Sequence, residues 1–129
     1  SGHVYQAGTL SGNPLATAAG LSVLRRLRDP AVYEELERRS ARLEAGLAPY
    51  GLVQRVGAML TFFLRGADPS LVVTRMRQLD TEGYGELFRH LLGRGIYVAP
   101  SQYECLFPSL AHGDAEIDAT VAAVAELLA

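Results

Sequence analysis

Leu15, Ala19, Val23 and Leu27 recur every four positions, a spacing that places them along one face of an α-helix. Ala16 and Gly20 make a small-residue stripe beside that face, which suits either close approach of another backbone or a tightly packed core helix. A second helical face, Val32, Leu36, Leu43 and Leu47, follows Asp29 and Pro30, a capping residue and a residue suited to the first helical position. Its other side carries Glu34, Glu35, Glu37, Arg38, Arg39 and Arg42 and reads as solvated surface. Past Pro49 and Gly51 the period shortens. Two β-rich groups, residues 52–56 and 59–64, flank Gly57, and a hairpin is their simplest pairing. In the second group Leu60, Phe62 and Leu64 alternate with Met59, Thr61 and Phe63, so a strand covered on both faces is expected. Residues 66–80 carry the weakest pattern, with a short extended piece at 71–74. Tyr84, Leu87, Phe88, Leu91 and Leu92 then mark an amphipathic helix ending near Gly93 and Gly95, its first turn weakened by Gly83 and Gly85. Residues 96–99 read as a strand stopped by Pro100, residues 106–110 as another, and Asp114 opens a last helix with Ile117, Val121, Val124 and Leu128 on one side.

This order predicts an α+β fold: an antiparallel or mixed sheet with helices on one face, preceded by a helix that belongs elsewhere. The 129 residues, 49% hydrophobic and 20% charged, suffice for one core. Apolar runs stop well short of the roughly 18 to 20 residues of a membrane span, and no targeting pattern opens the chain, so no membrane partner is expected. A single cysteine, Cys105, excludes an internal disulfide framework and suits a reducing compartment, the cytoplasm by default. Net charge is −2 with Arg interleaved among Glu, which excludes the basic stripe that nucleic acid requires. All 12 basic residues are Arg and none is Lys. Chemistry that needs an amine nucleophile therefore cannot come from this chain alone.

Few residues are left to carry chemistry. His3, His90 and His112 are scattered and lack carboxylates at ligand spacing, so no metal site is expected; His90 reads as surface and His112 as a turn or capping residue. Neither a phosphate-binding loop ending in Lys nor a nucleophile elbow occurs. Two places remain. Gly8, Thr9, Ser11, Gly12 and Asn13 precede Pro14, and they read either as a plain helix start or as an anion cradle at the positive end of a helix dipole. Glu104, in "PSQYECLFPSL", stands between Tyr103 and the apolar Cys105, Leu106 and Phe107. A carboxylate in such company points to solvent or carries a raised pKa and a task.

The string "VYQAGTLSGNPLATAAGLSVL" closely resembles the glutamate-1-semialdehyde 2,1-aminomutase family, pyridoxal-phosphate enzymes of fold type I related to class III aminotransferases. The likeness continues through "VGAMLTFFL", "LLGRGIYVAPSQYECLFPSLAH" and "DAEIDATVAAVAELL". It implies that residues 1–28 are the end of the large cofactor-binding domain and residues 29–129 the small C-terminal domain. It further implies a homodimer using pyridoxal 5'-phosphate, in which Thr9, helped by the backbone of Gly8, reaches the cofactor phosphate of the neighbouring subunit. The Schiff-base Lys of the family lies upstream, so this segment alone is expected to be inactive. The implied reaction moves an amino group from C2 to C1 of glutamate 1-semialdehyde, giving 5-aminolevulinate for tetrapyrrole synthesis, with Glu104 as the catalytic carboxylate near the substrate. Related aminotransferases carry an Arg in an "RFxPPL" stretch, and the matching residues here, 105–110, contain none. Tyr103, Cys105, Leu106 and Pro108 depart from the usual "FEAGFLSLAH", and Pro108 moves the stretch toward the aminotransferase pattern. A class III aminotransferase segment and a non-catalytic α+β binding or dimerisation domain are the alternatives.

Overall fold

The computed structural model describes residues 7–64 and 79–129; His3 and the extended piece expected at 71–74 lie outside them. Two compact units divide the chain, Ser1–Tyr33 and Glu34–Ala129. In the first, helix α1 (Pro14–Arg26) begins where Asn13 Oδ1 accepts hydrogen bonds from the N–H groups of Leu15 and Ala16 at 2.9 and 3.2 Å. Pro14 occupies the first turn, where its missing N–H costs nothing, and Arg25 and Arg26 sit at the negative end of the dipole. No residue of α1 is buried.

Helix α2 (Pro30–Leu47) starts as its sequence predicts, with Asp29 Oδ1 accepting from the Ala31 N–H at 3.0 Å. Strands β1 (Gly51–Val56) and β2 (Met59–Leu64) form the antiparallel hairpin, Val56 opposite Met59 and Gly51 opposite Leu64. Gly57 turns it with φ of +58°, a left-handed conformation that glycine adopts without a Cβ penalty. Helices α3 (Thr81–Gly93) and α4 (Asp114–Leu128) complete the second unit.

Leu60, Phe62 and Leu64 on one face of β2 meet Leu43 and Leu47 of α2, Tyr84, Leu87 and Leu91 of α3, and Ile117, Ala123 and Val124 of α4. The helices thus cover one sheet face, the expected α+β arrangement. Cover on the second face is partial: Phe63 is buried, but Met59 is 42% exposed. The charged side of α2 is more than solvated surface, because Arg38 pairs with Asp114 at 2.8 Å and Arg42 with Asp118 at 2.7 Å, tying α2 to α4. Hydrogen bonds from Arg38 and Arg39 hold the Glu35 carboxyl down at about 2. His90, expected on the surface, is half-buried, with Nε2 3.0 Å from the Ala123 carbonyl.

Two expected strands do not form. Residues 96–99 are irregular: the Ile96 N–H donates back to the Leu91 carbonyl at 2.9 Å, and Ile96 and Val98 pack on the core without pairing to a strand among the described residues. Alternation of apolar residues alone does not supply a ladder. The strand expected at 106–110 shrinks to one bridge between Leu106 and Leu60, because Pro108 has no N–H to continue it. Among the described residues no helix is long and apolar enough to cross a membrane.

Candidate functional site

Gly8 and Thr9 belong to the first unit and Glu104 to the second. The first locus is a tight turn. Ser11 N–H donates to the Gly8 carbonyl at 3.0 Å, Asn13 N–H donates to the Leu10 carbonyl at 3.1 Å, and Gly12 takes φ of +73°. A Cβ on Gly8 would meet only the Ser11 hydroxyl closely, at 2.5 Å, and rotation of that exposed side chain would relieve it. Thr9 is exposed and makes no hydrogen bond with the described residues. The helix start itself is less available than its residue types suggest, since Asn13 occupies the N–H groups of Leu15 and Ala16 and Pro14 has none. What this locus offers an anion is the Thr9 hydroxyl and turn backbone, with the dipole of α1 behind them.

The second locus is the 20-residue connection between α3 and α4 (residues 94–113). Residues 101–104 turn on a hydrogen bond from Glu104 N–H to the Ser101 carbonyl at 3.1 Å, and the Tyr103 N–H donates to Ser101 Oγ at 3.2 Å. Glu104 is exposed on this turn. Tyr84, buried on α3, donates its phenolic O–H to the Ala99 carbonyl at 2.9 Å. Burial pushes that phenol up, and the negative charge of Glu104 pushes it the same way. Beyond the Leu106 bridge, Cys105 Sγ accepts from Thr61 Oγ1 at 3.4 Å. His112 is the turn residue its position suggests, with Nδ1 accepting from the Ser109 N–H at 2.9 Å.

Two polar side chains that carried no signal in the sequence hold this connection. Arg39 donates from Nη1 to the carbonyls of Leu110 and His112, both at 2.7 Å, and to that of Ser109 at 3.3 Å. Gln102 is 2% exposed and donates from Nε2 to the Asp80 carbonyl at 2.9 Å. Neither forms part of a motif, because each acts on backbone groups distant in sequence. A cavity of about 320 Å³ lies in the second unit, lined by Leu47, Phe62, Leu91, Val98, Phe107 and Val124 among others. Its lining is mostly apolar, with His112, Glu116 and Thr120 among its polar members, and Glu104 is not part of it. Among the described residues no group of His, Cys, Asp or Glu is placed to hold a metal ion.

No protein-family model matches the chain. Individual relatives do. Over 99% of its length it is 47% identical to the glutamate-1-semialdehyde 2,1-aminomutase of Desulfitobacterium hafniense and 46% identical to that of Roseiflexus castenholzii. The chain belongs to the glutamate-1-semialdehyde 2,1-aminomutase family. It spans only 31% of each of these two aminomutases and corresponds to their C-terminal part. The aminomutase of Deinococcus radiodurans matches similarly, at 45% identity over 97% of the chain. Among solved structures, an omega-transaminase from Sphaerobacter thermophilus superposes with a TM-score of 0.81 at 27% identity, covering 97% of this chain and 30% of that one. A β-phenylalanine aminotransferase from Variovorax paradoxus gives 0.71 at 30% identity, covering 98% of this chain and 30% of that one. The aminomutase segment thus shares its fold with transaminases.

Proposed function

We propose that the full-length protein is a pyridoxal-phosphate-dependent aminomutase that converts glutamate 1-semialdehyde to 5-aminolevulinate, as a cytoplasmic homodimer serving porphyrin synthesis. The observation that carries this reading is the 47% identity to an aminomutase across 99% of the chain. Residues 1–28 then form the end of the cofactor-binding domain and residues 29–129 the small domain. Support comes from α1, which exposes Leu15, Val23 and Leu24 to solvent, as a helix does when its packing partner lies in another part of the protein.

The first locus fits the cofactor phosphate as one part of its shell. Among the described residues Thr9 presents an unpartnered hydroxyl on a turn closed by the Ser11 N–H to Gly8 carbonyl bond, and a hydroxyl donor to a dianion makes a charge-assisted bond. No Lys occurs in the chain, so the amine that holds the cofactor comes from another part of the protein. When bound, pyridoxal phosphate supplies the electron sink for moving an amino group. The part left to this chain is to grip the phosphate at Thr9 and to face the substrate with Glu104, whose carboxylate can pair with an ammonium group or hold a proton. Absence of an Arg from residues 105–110 removes a bidentate grip on a second carboxylate, in keeping with a reaction that needs no second substrate.

The aminotransferase reading has its own support in the two transaminase superpositions. Incubating the purified full-length protein with glutamate 1-semialdehyde separates them. Formation of 5-aminolevulinate with no added amino acceptor is expected; turnover that depends on added 2-oxoglutarate would make the protein an aminotransferase instead.

A further inference from the structure

Among the described residues, the turn that carries Glu104 is not held by a sheet. Its nearest strand bond is the bridge at Leu106, two residues further on. On its other side the backbone is tied to the first turn of α3 at two points, where Tyr84 donates to the Ala99 carbonyl and where Gln102 donates to the Asp80 carbonyl. Asp80 is itself fixed. It caps α3 by accepting the Gly83 N–H at 2.8 Å, and its carbonyl accepts the Tyr84 N–H at 3.3 Å.

Gln102 is an odd residue to bury for stability. Among the described residues its Oε1 is buried with no hydrogen-bond partner, and an orphaned acceptor costs desolvation energy that is not returned. An apolar side chain of similar length would remove that orphan. It would also strand nothing, since the Asp80 carbonyl keeps the Tyr84 N–H. What an apolar side chain could not do is fix the direction in which residues 101–104 pass the start of α3. Gln102 points inward while Tyr103 and Glu104 on the same turn are exposed, so orientation of the inward amide sets the orientation of the outward carboxylate.

We propose that Gln102 is the positioning residue for Glu104, its buried amide pinning the 101–104 turn to the start of α3. The proposal rests on the reading of Glu104 as the carboxylate facing substrate. It assigns the amide to catalytic geometry and not to folding.

The test uses the full-length protein, with Gln102→Met and Gln102→Leu read in parallel. Both variants are expected to melt within a few degrees of the unaltered protein. In the cofactor-free dimer, hydrogen exchange in peptides covering residues 101–106 is expected to quicken about tenfold. With cofactor bound, kcat should fall about tenfold to a hundredfold with little change in KM, and adding Gln102→Met to Glu104→Gln should cause no further loss. Unchanged exchange, losses that multiply in the double variant, or variants that fail to fold would overturn the proposal. A Glu104→Gln protein as active as the original would sink the role of Glu104 itself, and the exchange measurement would still decide whether Gln102 holds the turn.

Discussion

Helices α1 and α3 both present apolar residues at helical spacing and meet opposite fates. In α3, Tyr84, Leu87 and Leu91 are all at most 5% exposed, packed against β2 and α4. In α1, Leu15 is 81% exposed and Val23 55%, and nothing in the helix is buried. Periodicity identifies which face of a helix seeks cover, but says nothing about which surface provides it. Helix α3 finds its partner within 129 residues. For α1, no other part of its own compact unit provides one.

That contrast can be broken most sharply at single leucines. Leu87→Ala should destabilise the chain by about 2–5 kcal/mol, the usual result of emptying a closed core, whereas Leu15→Ala should change it by less than about 0.5 kcal/mol. In the full-length protein the cost of Leu15→Ala should rise toward about 2 kcal/mol. Urea unfolding of both polypeptides measures it, and an equal, negligible cost in each would mean that α1 is never covered.

At Thr9 the first unit is expected to affect binding and not folding. Thr9→Val in the full-length dimer should weaken retention of pyridoxal phosphate by about 1–3 kcal/mol while leaving the cofactor-free melting temperature unchanged. Equilibrium dialysis against the cofactor provides the number; unaltered affinity would remove Thr9 from the phosphate shell.

Glycines in the two helices should respond in opposite directions. At Gly83 in α3 an added Cβ would run into Asp80 and Leu64, so Gly83→Ala should cost about 1–3 kcal/mol through overpacking. A Cβ at Gly20 in α1 meets nothing within 4 Å, and Gly20→Ala should stabilise the chain by up to about 1 kcal/mol through helix propensity. If the gain at Gly20 reversed in the full-length protein, another backbone would be shown to pass close to the Ala16 and Gly20 stripe.

Acid should have the mildest effect, and it should act on the second unit. Glu35, Asp114 and Asp118 are all held below their ordinary values, mainly by hydrogen bonds from Arg38 and Arg42 and, at Glu35, also from Arg39. A carboxylate with a depressed folded pKa stabilises the fold above its unfolded pKa, and that contribution is lost as pH falls through the folded value. For Glu35 the loss runs from about 4.5 down to about 2. Melting temperature should therefore decline through that range, and Glu35→Gln should flatten the decline. These pairs are solvent-exposed, so each is worth little.

Much of the framework was legible before any coordinates. Asp29 with Pro30 and Asn13 with Pro14 announced two helix starts through local capping chemistry, and Gly57 between two β-rich groups announced the hairpin. The expected strands at 96–99 and 106–110 failed because a strand is defined by its neighbour: alternating Ile96 and Val98 needed only a core to sit on, and Pro108 removed a donor. At the candidate site, Thr9 and Glu104 could be singled out because resemblance marks residue types in order. Gln102 and Arg39 could not, because their partners are main-chain groups 22 and 70 or more residues away.

By itself the sequence determined the helix starts, the hairpin, the lack of any amine nucleophile and the family, since each depends on residue identity over short spans or on order along the chain. Tertiary structure alone decided that α1 buries no residue, that Asn13 consumes the amides an anion would use, and that the buried amide of Gln102 bonds the Asp80 carbonyl. Those are matters of which groups meet, and hydrogen bonds and burial between distant residues leave no periodicity to read.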